Sequence, residues 1–229
     1  MMRFDCNAYL GHWYARQIRH NTAPELLDFM DRFEIDQAVV GSLSAVMYRN
    51  SQMGNRELAE QIDDHRDRLW PFGVINPDYI GWERDLDWCV EELGAKGLRL
   101  YPQYHNYEVG GEVCKAACEA CAERDLVVTF IQRQVDYRQS HWMVDAPDLQ
   151  LDDIADLCEE VPEMTVMVVN GLGYTGSRLL TDAENLPNNY YLGMSRTSAF
   201  IGNELAALVD TLGANRVLFG TGIPMKNPG

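Results

Sequence analysis

Amide, phenol and guanidinium side chains follow the short apolar runs of this sequence. They are groups that hydrogen-bond polar ligands, and an arginine can hold a carboxylate or a phosphate through two parallel N–H bonds. The residues that we expect to bind a ligand are Asn7, Tyr9, Arg99, Tyr101, Gln132, Arg133, Asn170 and Arg196. Their chemistry favours a small polar or anionic molecule as the binding partner.

One histidine, His105, could serve as a general acid or base, because it follows the fourth apolar run and could reach the same residues. A surface histidine without a catalytic role is an equally simple interpretation. Arg99 also has two interpretations, a ligand for an anion or the partner of Asp5 in an ion pair. No glycine-rich phosphate loop, G-x-S-x-G sequence or Ser-His-Asp order accompanies these residues.

The first apolar run, at residues 4–10, predicts a β-strand. Side chains alternate between the two faces of a strand, so the polar residues of this run should share one face. We expect one face to hold Asp5, Asn7 and Tyr9, and the other to hold Phe4, Cys6 and Ala8.

Further strands and helices alternate along the rest of the chain. Short continuous apolar runs indicate strands buried on both faces, and spacings of three and four indicate amphipathic helices. The predicted strands lie at 37–41, 69–75, 97–101, 126–131, 165–169, 190–193 and 216–219. Helices are predicted between them, including one that begins at Asn55 as its N-cap and one that carries three cysteines.

This alternation predicts an α/β fold, a (β/α)8 TIM-type barrel, with a doubly wound open sheet as the alternative. The active site of such a barrel lies at the C-terminal ends of its strands, where the polar residues named above stand. Only residues 221–229 follow the eighth strand, too few for an eighth helix. Either the chain is a fragment, or another segment covers that part of the barrel.

Length, composition and charge restrict the class of protein. A chain of 229 residues with 46% hydrophobic residues can bury a full core, and we expect one domain over residues 1–229. The formal charge of −16 makes nucleic acid an unsuitable partner. No apolar run reaches the ~20 residues that span a bilayer. We predict a soluble, cytoplasmic protein without membrane contact, and leave open its assembly into a homo-oligomer.

Three cysteines, Cys114, Cys118 and Cys121, have a C-x3-C-x2-C spacing that can hold an iron–sulfur cluster. Spacings of four and three also place these side chains on one stripe of a helix. Their run is rich in helix-forming residues, and free cysteine behaves as a small buried hydrophobe. We therefore predict a packed helix face, and no cofactor.

Four segments resemble the signature strands of the amidohydrolase-related (amidohydrolase 2) metal-dependent hydrolases and decarboxylases. They are residues Phe4–Gly11, Gly94–Pro102, Val168–Gly173 and Asn215–Pro224. The resemblance runs in order over nearly the whole chain. It implies a TIM-type barrel with a metal at the strand ends.

The residues at the implied metal-ligand positions differ from those of that family. The first-strand His-x-His pair corresponds to Asn7 and Tyr9, and the fifth-strand and sixth-strand histidines correspond to Gln132 and Asn170. The eighth-strand aspartate, which is also the usual general base, corresponds to Gly222. Zinc sites need thiolate, imidazole or carboxylate donors, and hard cations rely on carboxylates. We therefore predict no catalytic metal.

Two functions follow from these observations. The first is a catalytically silent barrel that binds a small polar or anionic ligand at its amide-lined mouth. The alternative is a metal-independent hydrolase or lyase acting on a small anionic substrate. In that enzyme His105 is the acid or base, and Arg99, Arg133 or Arg196 holds the substrate. The missing metal and general base favour the first function.

Overall fold

Eight parallel strands form the centre of the molecule. The structure, a computed structural model, describes residues 2–196 and 203–226. The strands are β1 (Phe4–Leu10), β2 (Gln37–Ser42), β3 (Leu69–Val74), β4 (Gly97–Leu100), β5 (Val127–Ile131), β6 (Thr165–Val169), β7 (Tyr190–Gly193) and β8 (Val217–Leu218). They lie in one sheet in sequence order, and each strand pairs in parallel with the next.

Backbone hydrogen bonds between β1 and the segment after β8 bring the two edges of this sheet together. Cys6 N–H donates to the Phe219 carbonyl at 3.0 Å, and Tyr9 N–H donates to the Ile223 carbonyl at 2.8 Å. Gly222 N–H donates to the Asn7 carbonyl at 2.8 Å. The predicted TIM-type barrel is therefore confirmed as a nearly closed barrel, and the open-sheet alternative is wrong.

Helices connect the strands on the outside of the barrel. They are α1 (Ala23–Arg32), α2 (Ser44–Met47), α3 (Ser51–Ile62), α4 (Trp82–Glu91), α5 (Pro102–His105), α6 (Glu112–Ala122), α7 (Leu151–Glu160), α8 (Arg178–Thr181) and α9 (Glu204–Leu212). The one-turn helices α2 and α5 were not predicted, because four residues are too few to show helical periodicity. Residues 219–226 form no helix after β8, in line with the predicted shortage.

The start of α3 corrects one prediction. The N-cap is Asn50, whose side chain accepts from the Gln52 N–H at 3.1 Å, and not Asn55. Asn55 lies inside the helix and is fully buried. Its amide accepts from the Val74 N–H at 2.9 Å and donates to the Val74 carbonyl at 2.8 Å. This asparagine thus satisfies the backbone of β3 at the point where the strand ends.

The cysteine stripe is a packed helix face, as predicted. Cys114, Cys118 and Cys121 lie on α6 with no exposed surface, and they pack in the core between the sheet and the helices. Burial raises the pKa of the Cys121 thiol to about 12, which keeps it protonated. All six cysteines are buried free thiols.

No helix in the described part of the chain combines the length and the hydropathy needed to cross a membrane.

Two hydrophobic clusters divide the core. One lies between the sheet and the helices, and the other fills the barrel interior. Cys6 packs in the interior cluster with Tyr9, whereas Ala8 packs in the outer one. The predicted faces of β1 are therefore wrong for Cys6. The cause is an irregular register between Asp5 and Ala8, where β1 has one more residue than β2.

Candidate functional site

The C-terminal ends of the strands form the mouth of the barrel. A buried carboxylate lies at its seam, where β1 meets the segment after β8. Asp5 Oδ1 accepts from the Asn7 N–H at 2.8 Å and the Thr221 N–H at 3.0 Å, and its Oδ2 accepts from the Thr221 hydroxyl at 2.6 Å. Burial raises the pKa of this carboxyl, and these hydrogen bonds oppose the rise only in part. Asp5 is therefore occupied in joining the two edges of the barrel.

Two asparagines at the strand ends face each other across the mouth. Asn7 Nδ2 donates to Asn170 Oδ1 at 3.2 Å, and the Ser195 hydroxyl donates to the same oxygen at 3.0 Å. Asn170 has a φ of +56°, a left-handed conformation that asparagine tolerates better than most residues. Asn170 Nδ2 and Asn7 Oδ1 are buried and have no partner within the described residues. The pair thus keeps one donor and one acceptor available.

The Gln132 side chain is held by the loop after β6. Its Oε1 accepts from the Leu172 N–H at 2.5 Å, and its Nε2 donates to the Leu172 carbonyl at 3.3 Å. Both ends of this amide are therefore engaged by the backbone of one residue, Leu172. Gln132 positions the loop beside the mouth.

Arg99 lies entirely inside the barrel, with no exposed surface. Its guanidinium carbon stands 4.2 Å from the centroid of the Tyr9 ring, a cation–π arrangement. Glycine at position 41 makes room for it, because a Cβ there would lie 2.7 Å from Arg99 Cδ and Nε. The three guanidinium nitrogens have no hydrogen-bond partner of good geometry in the described part of the chain.

This arrangement bears on one of the two interpretations of Arg99, the ion pair with Asp5. Asp5 is directed to Thr221 and Asn7, and it forms no ion pair with Arg99. Tyr101, also fully buried, lies near enough for the charge of Arg99 to oppose the rise that burial causes in its pKa. The guanidinium therefore has no ion-pair partner among the described residues, and it lies close to the Tyr101 hydroxyl.

The other two predicted arginines differ in their surroundings. Arg133 Nε donates to both carboxylate oxygens of Asp148, at 2.8 and 2.7 Å, so its charge is compensated within the chain. Arg196 Nε is buried without a partner among the described residues. Burial and the nearby charge of Arg133 lower the pKa of Arg196. Arg196, unlike Arg133, thus resembles Arg99 in having no ion-pair partner among the described residues.

His105 lies at the end of α5 and contacts the turn after β2. Its Nε2 is 3.2 Å from the Val46 carbonyl, an acceptor, so this nitrogen carries the proton. Burial lowers the pKa of the imidazole to about 4. A catalytic role for His105 stays a prediction, and the observed contact links the loops after β2 and β4.

Lys226 was missed by the sequence analysis. It stands eight residues after β8, and its Nζ donates to the Ser195 carbonyl at 2.6 Å. A Cβ at Gly222, the position of the family aspartate, would lie 3.1 Å from Lys226 Cδ and 3.4 Å from Asn170 Oδ1. The lysine chain thus passes beside the strand-end amides. One signal was available, because the sequence has only two other lysines, Lys96 and Lys115.

A cavity of about 660 Å³ opens beside Lys226, and we call it the mouth cavity. Its volume is in the range of small-molecule sites. Five basic side chains and one acid line it: Arg16, Arg19, His20, Arg196, Lys226 and Asp136. The acid is already paired, because Asp136 accepts from Arg138 Nε at 2.9 Å. The mouth cavity is therefore basic in a protein whose formal charge is −16.

An aromatic wall lines the loops after β1 and β4. The ring of Trp13 meets that of Tyr104 edge to face, with centroids 5.9 Å apart, and Tyr104 meets Tyr101 at 6.3 Å. Trp13 and Tyr101 are buried. Within residues 2–196 and 203–226, no group of three His, Cys, Asp or Glu side chains is placed to hold a metal ion.

Comparison with solved structures shows the same fold in proteins of low sequence identity. A dihydroxybenzoic acid decarboxylase from Polaromonas sp. JS666, solved with manganese and 2-nitroresorcinol, is 16% identical, with a TM-score of 0.70 over 99% of this chain and 88% of that one. A putative amidohydrolase from Staphylococcus aureus is 12% identical, with a TM-score of 0.69 over 98% and 88%.

A third structure, 5-carboxyvanillate decarboxylase from Sphingomonas paucimobilis, is 12% identical, with a TM-score of 0.68 over 98% of this chain and 89% of that one. A search of curated proteins found no significant match. The sequence profile of the amidohydrolase family matches residues 5–229. The barrel and this match agree, and the chain belongs to the amidohydrolase family.

Proposed function

We propose that this chain is a ligand-binding member of the amidohydrolase family, which takes a small carboxylate at the barrel mouth without a catalytic metal. The observation that carries the proposal is the buried Arg99 guanidinium, which has no hydrogen-bond partner within the described residues. A buried charge without a partner is strongly destabilising. A carboxylate fits a guanidinium through two parallel hydrogen bonds, so a bound carboxylate would supply the missing partner.

The neighbouring groups support a ligand with a negative charge. Arg196 adds a cation at the mouth and Lys226 adds an amine that is partly protonated near pH 7, and neither forms an ion pair with a described carboxylate. Asn170 Nδ2 offers a further donor. A basic cleft in an acidic protein concentrates the electrostatic potential and attracts anions. These features favour an anion over a neutral polar ligand.

The donor chemistry of the strand ends does not fit a tightly bound transition metal. Asn7 and Asn170 hydrogen-bond each other, and Gln132 is held by Leu172. Amides supply neither negative charge nor a basic nitrogen. The ammonium-bearing chain of Lys226 runs beside Gly222 in the same region. These residues support binding without metal chemistry, and no step through a metal is derived for this chain.

Aromatic carboxylates are the first ligands to test. Tyr101 lies near Arg99 and begins a chain of aromatic rings that continues through Tyr104 to Trp13. A similar solved structure is described as 2,6-dihydroxybenzoate decarboxylase in complex with 2,6-dihydroxybenzoate. That likeness extends to the fold, and it makes benzoates reasonable probes for this mouth.

The test compares a carboxylate with its neutral amide. Protein dialysed against a chelator is titrated with benzoate, 2,6-dihydroxybenzoate and benzamide, and binding is followed by calorimetry and by the unfolding temperature. Both carboxylates should bind and stabilise the protein, by about 2.7 kcal/mol at a hundredfold excess over Kd, and benzamide should not. Equal effects of benzoate and benzamide, or no effect of any anion, would contradict the proposal.

Elemental analysis of the same protein tests the proposal that the ligand binds without a catalytic metal. We expect far less than one zinc, iron or manganese per chain after dialysis, with carboxylate binding unchanged by the chelator. One tightly held metal per chain, whose removal abolishes binding, would overturn it.

A further inference from the structure

Lys226 is the lysine that lies at the barrel mouth. Lys115 forms an ion pair with Glu160 on the outer surface, with Nζ and carboxylate 3.3 Å apart. Lys96 directly precedes β4, at the opposite end of the barrel from the mouth. Lys226 lines the mouth cavity and is half-buried. The sequence therefore offers one amine to a ligand in this cavity.

The surroundings of Lys226 differ from those of a structural lysine. Its Nζ donates to the Ser195 carbonyl, and no carboxylate of the described residues lies within ion-pair distance. Arg196 lines the same cavity. Burial, followed by the charge of Arg196, lowers the pKa of Lys226 to about 7. A large fraction of this amine is therefore neutral near pH 7, and a neutral amine is a nucleophile.

We propose that Lys226 binds a small 2-oxo acid as a reversible imine, with the ligand carboxylate held by the basic side chains of the mouth cavity. The inference rests on the proposed function for the contact to the ligand carboxylate, and it adds a covalent bond to Lys226. It follows from one accessible amine, the adjacent Arg196 and a cavity of about 660 Å³. A carbonyl carbon next to a carboxylate suits a lysine that stands beside a guanidinium.

The chemistry needs no oxidant or reductant. The Nζ lone pair attacks the ligand carbonyl carbon, and a proton moves from the nitrogen to the oxygen to give a carbinolamine. Loss of water then forms the C=N bond, and hydrolysis reverses both steps. The imine nitrogen then takes up a proton from solvent, and the resulting cation attracts the ligand carboxylate. The backbone carbonyl of Ser195, an acceptor 2.6 Å from Nζ, orients the nitrogen.

Reductive trapping tests the inference. The protein is incubated with pyruvate and cyanoborohydride near pH 7, and the adducts are counted by intact mass and located by peptide mapping. Propanal, a carbonyl compound of similar size without a carboxylate, is the ligand control. The variants are Lys226→Arg and Lys226→Met, and Lys115→Arg is the matched control. Thermal unfolding establishes that each variant is folded.

We expect one pyruvate adduct per chain on Lys226, formed at least tenfold faster than the propanal adduct. Both Lys226 variants should lose this adduct, and Lys115→Arg should retain it. Adducts spread over Lys96, Lys115 and the N-terminus would overturn the inference. Absence of an adduct in protein that still binds benzoate would also overturn it, and would leave the proposed function standing. Equal labelling by pyruvate and propanal would overturn the carboxylate contact.

Discussion

Two arginine–tyrosine stacks of nearly equal geometry differ in what surrounds them. Arg99 lies 4.2 Å from the Tyr9 ring in the barrel interior, and Arg216 lies 4.1 Å from the Tyr190 ring at the start of β8. Arg216 donates to the Tyr190 carbonyl at 3.1 Å and to Asn188 Oδ1 at 2.7 Å. Arg99, more deeply buried, makes no hydrogen bond of good geometry to a described residue.

The difference separates a structural cation from one available to a ligand. The Arg216 stack joins two strands and engages Nε and Nη1 while Nη2 has no partner among the described residues, so it has less to offer a ligand. The Arg99 stack orients a guanidinium through the ring and leaves its donors open. Buried polar groups without partners are rare in native proteins, and each calls for an explanation. Substitutions that change one stack at a time test this difference.

The largest expected effect is on ligand affinity. Arg99→Met removes the charge and keeps most of the volume, and it should raise the Kd for benzoate at least a hundredfold, because a bidentate charged contact is lost. Arg216→Met should leave that Kd within twofold. Calorimetric titration measures both. Equal losses in the two variants would show that the contrast between the stacks has no functional meaning.

The next effect is on stability at low pH and concerns His105, whose Nε2 already has a hydrogen-bond partner. Burial lowers the pKa of His105 from 6.5 to about 4. The folded state therefore resists protonation, and stability falls as the pH drops through 6.5 towards 4, by about 3 kcal/mol. His105→Gln keeps a donor for the Val46 carbonyl and should lack this fall. Urea unfolding across the pH range measures it.

His105→Gln also separates a structural histidine from a ligand-binding one. Its benzoate affinity should match that of the wild type, because Nε2 is engaged by Val46. A tenfold loss of affinity in a stably folded variant would instead place His105 with Arg99 as a ligand contact.

A smaller effect, on the free energy of unfolding, distinguishes the two stacks when no ligand is bound. Arg99→Met should raise the free energy of unfolding by about 1 to 2 kcal/mol, because it removes a buried cation that has no partner. Arg216→Met should lower it by about 1 to 2 kcal/mol, because hydrogen bonds and the stack are lost. Urea unfolding in anion-poor buffer gives both values. Destabilisation by Arg99→Met would mean that the chain itself satisfies this guanidinium.

The smallest expected effect tests whether Arg99 needs the space left by the missing side chain at Gly41. Gly41→Ala places a Cβ 2.7 Å from Arg99 Cδ and Nε, and should cost about 1 kcal/mol and weaken benzoate binding. Gly176→Ala is the control, because a Cβ there meets nothing within 4 Å. Unfolding and titration of both variants check the prediction. Equal behaviour of the two would show that the contact is relieved at no cost.

Strands and long helices were predictable, because apolar runs and helical spacing indicate which residues are buried. The side-chain pairings of the mouth were not. Nothing local to Arg133 shows that Asp148 compensates it, and nothing local to Asn55 shows that it binds β3. Lys226 lay in a short segment without periodicity. The register change between Asp5 and Ala8 depends on pairing with β2, which no single-strand pattern reveals.

The seam at Asp5 also bears on how the site is made. Its partner Thr221 lies 216 residues further along the chain. Closing a loop of that length costs on the order of 5 kcal/mol in chain entropy. On the ribosome, Asn7 and Tyr9 must wait for residues 219–223 to emerge before their strand gains its second neighbour. The site therefore matures only after residues 219–223 have been synthesised, and a ligand that binds there selects chains whose barrel has already closed.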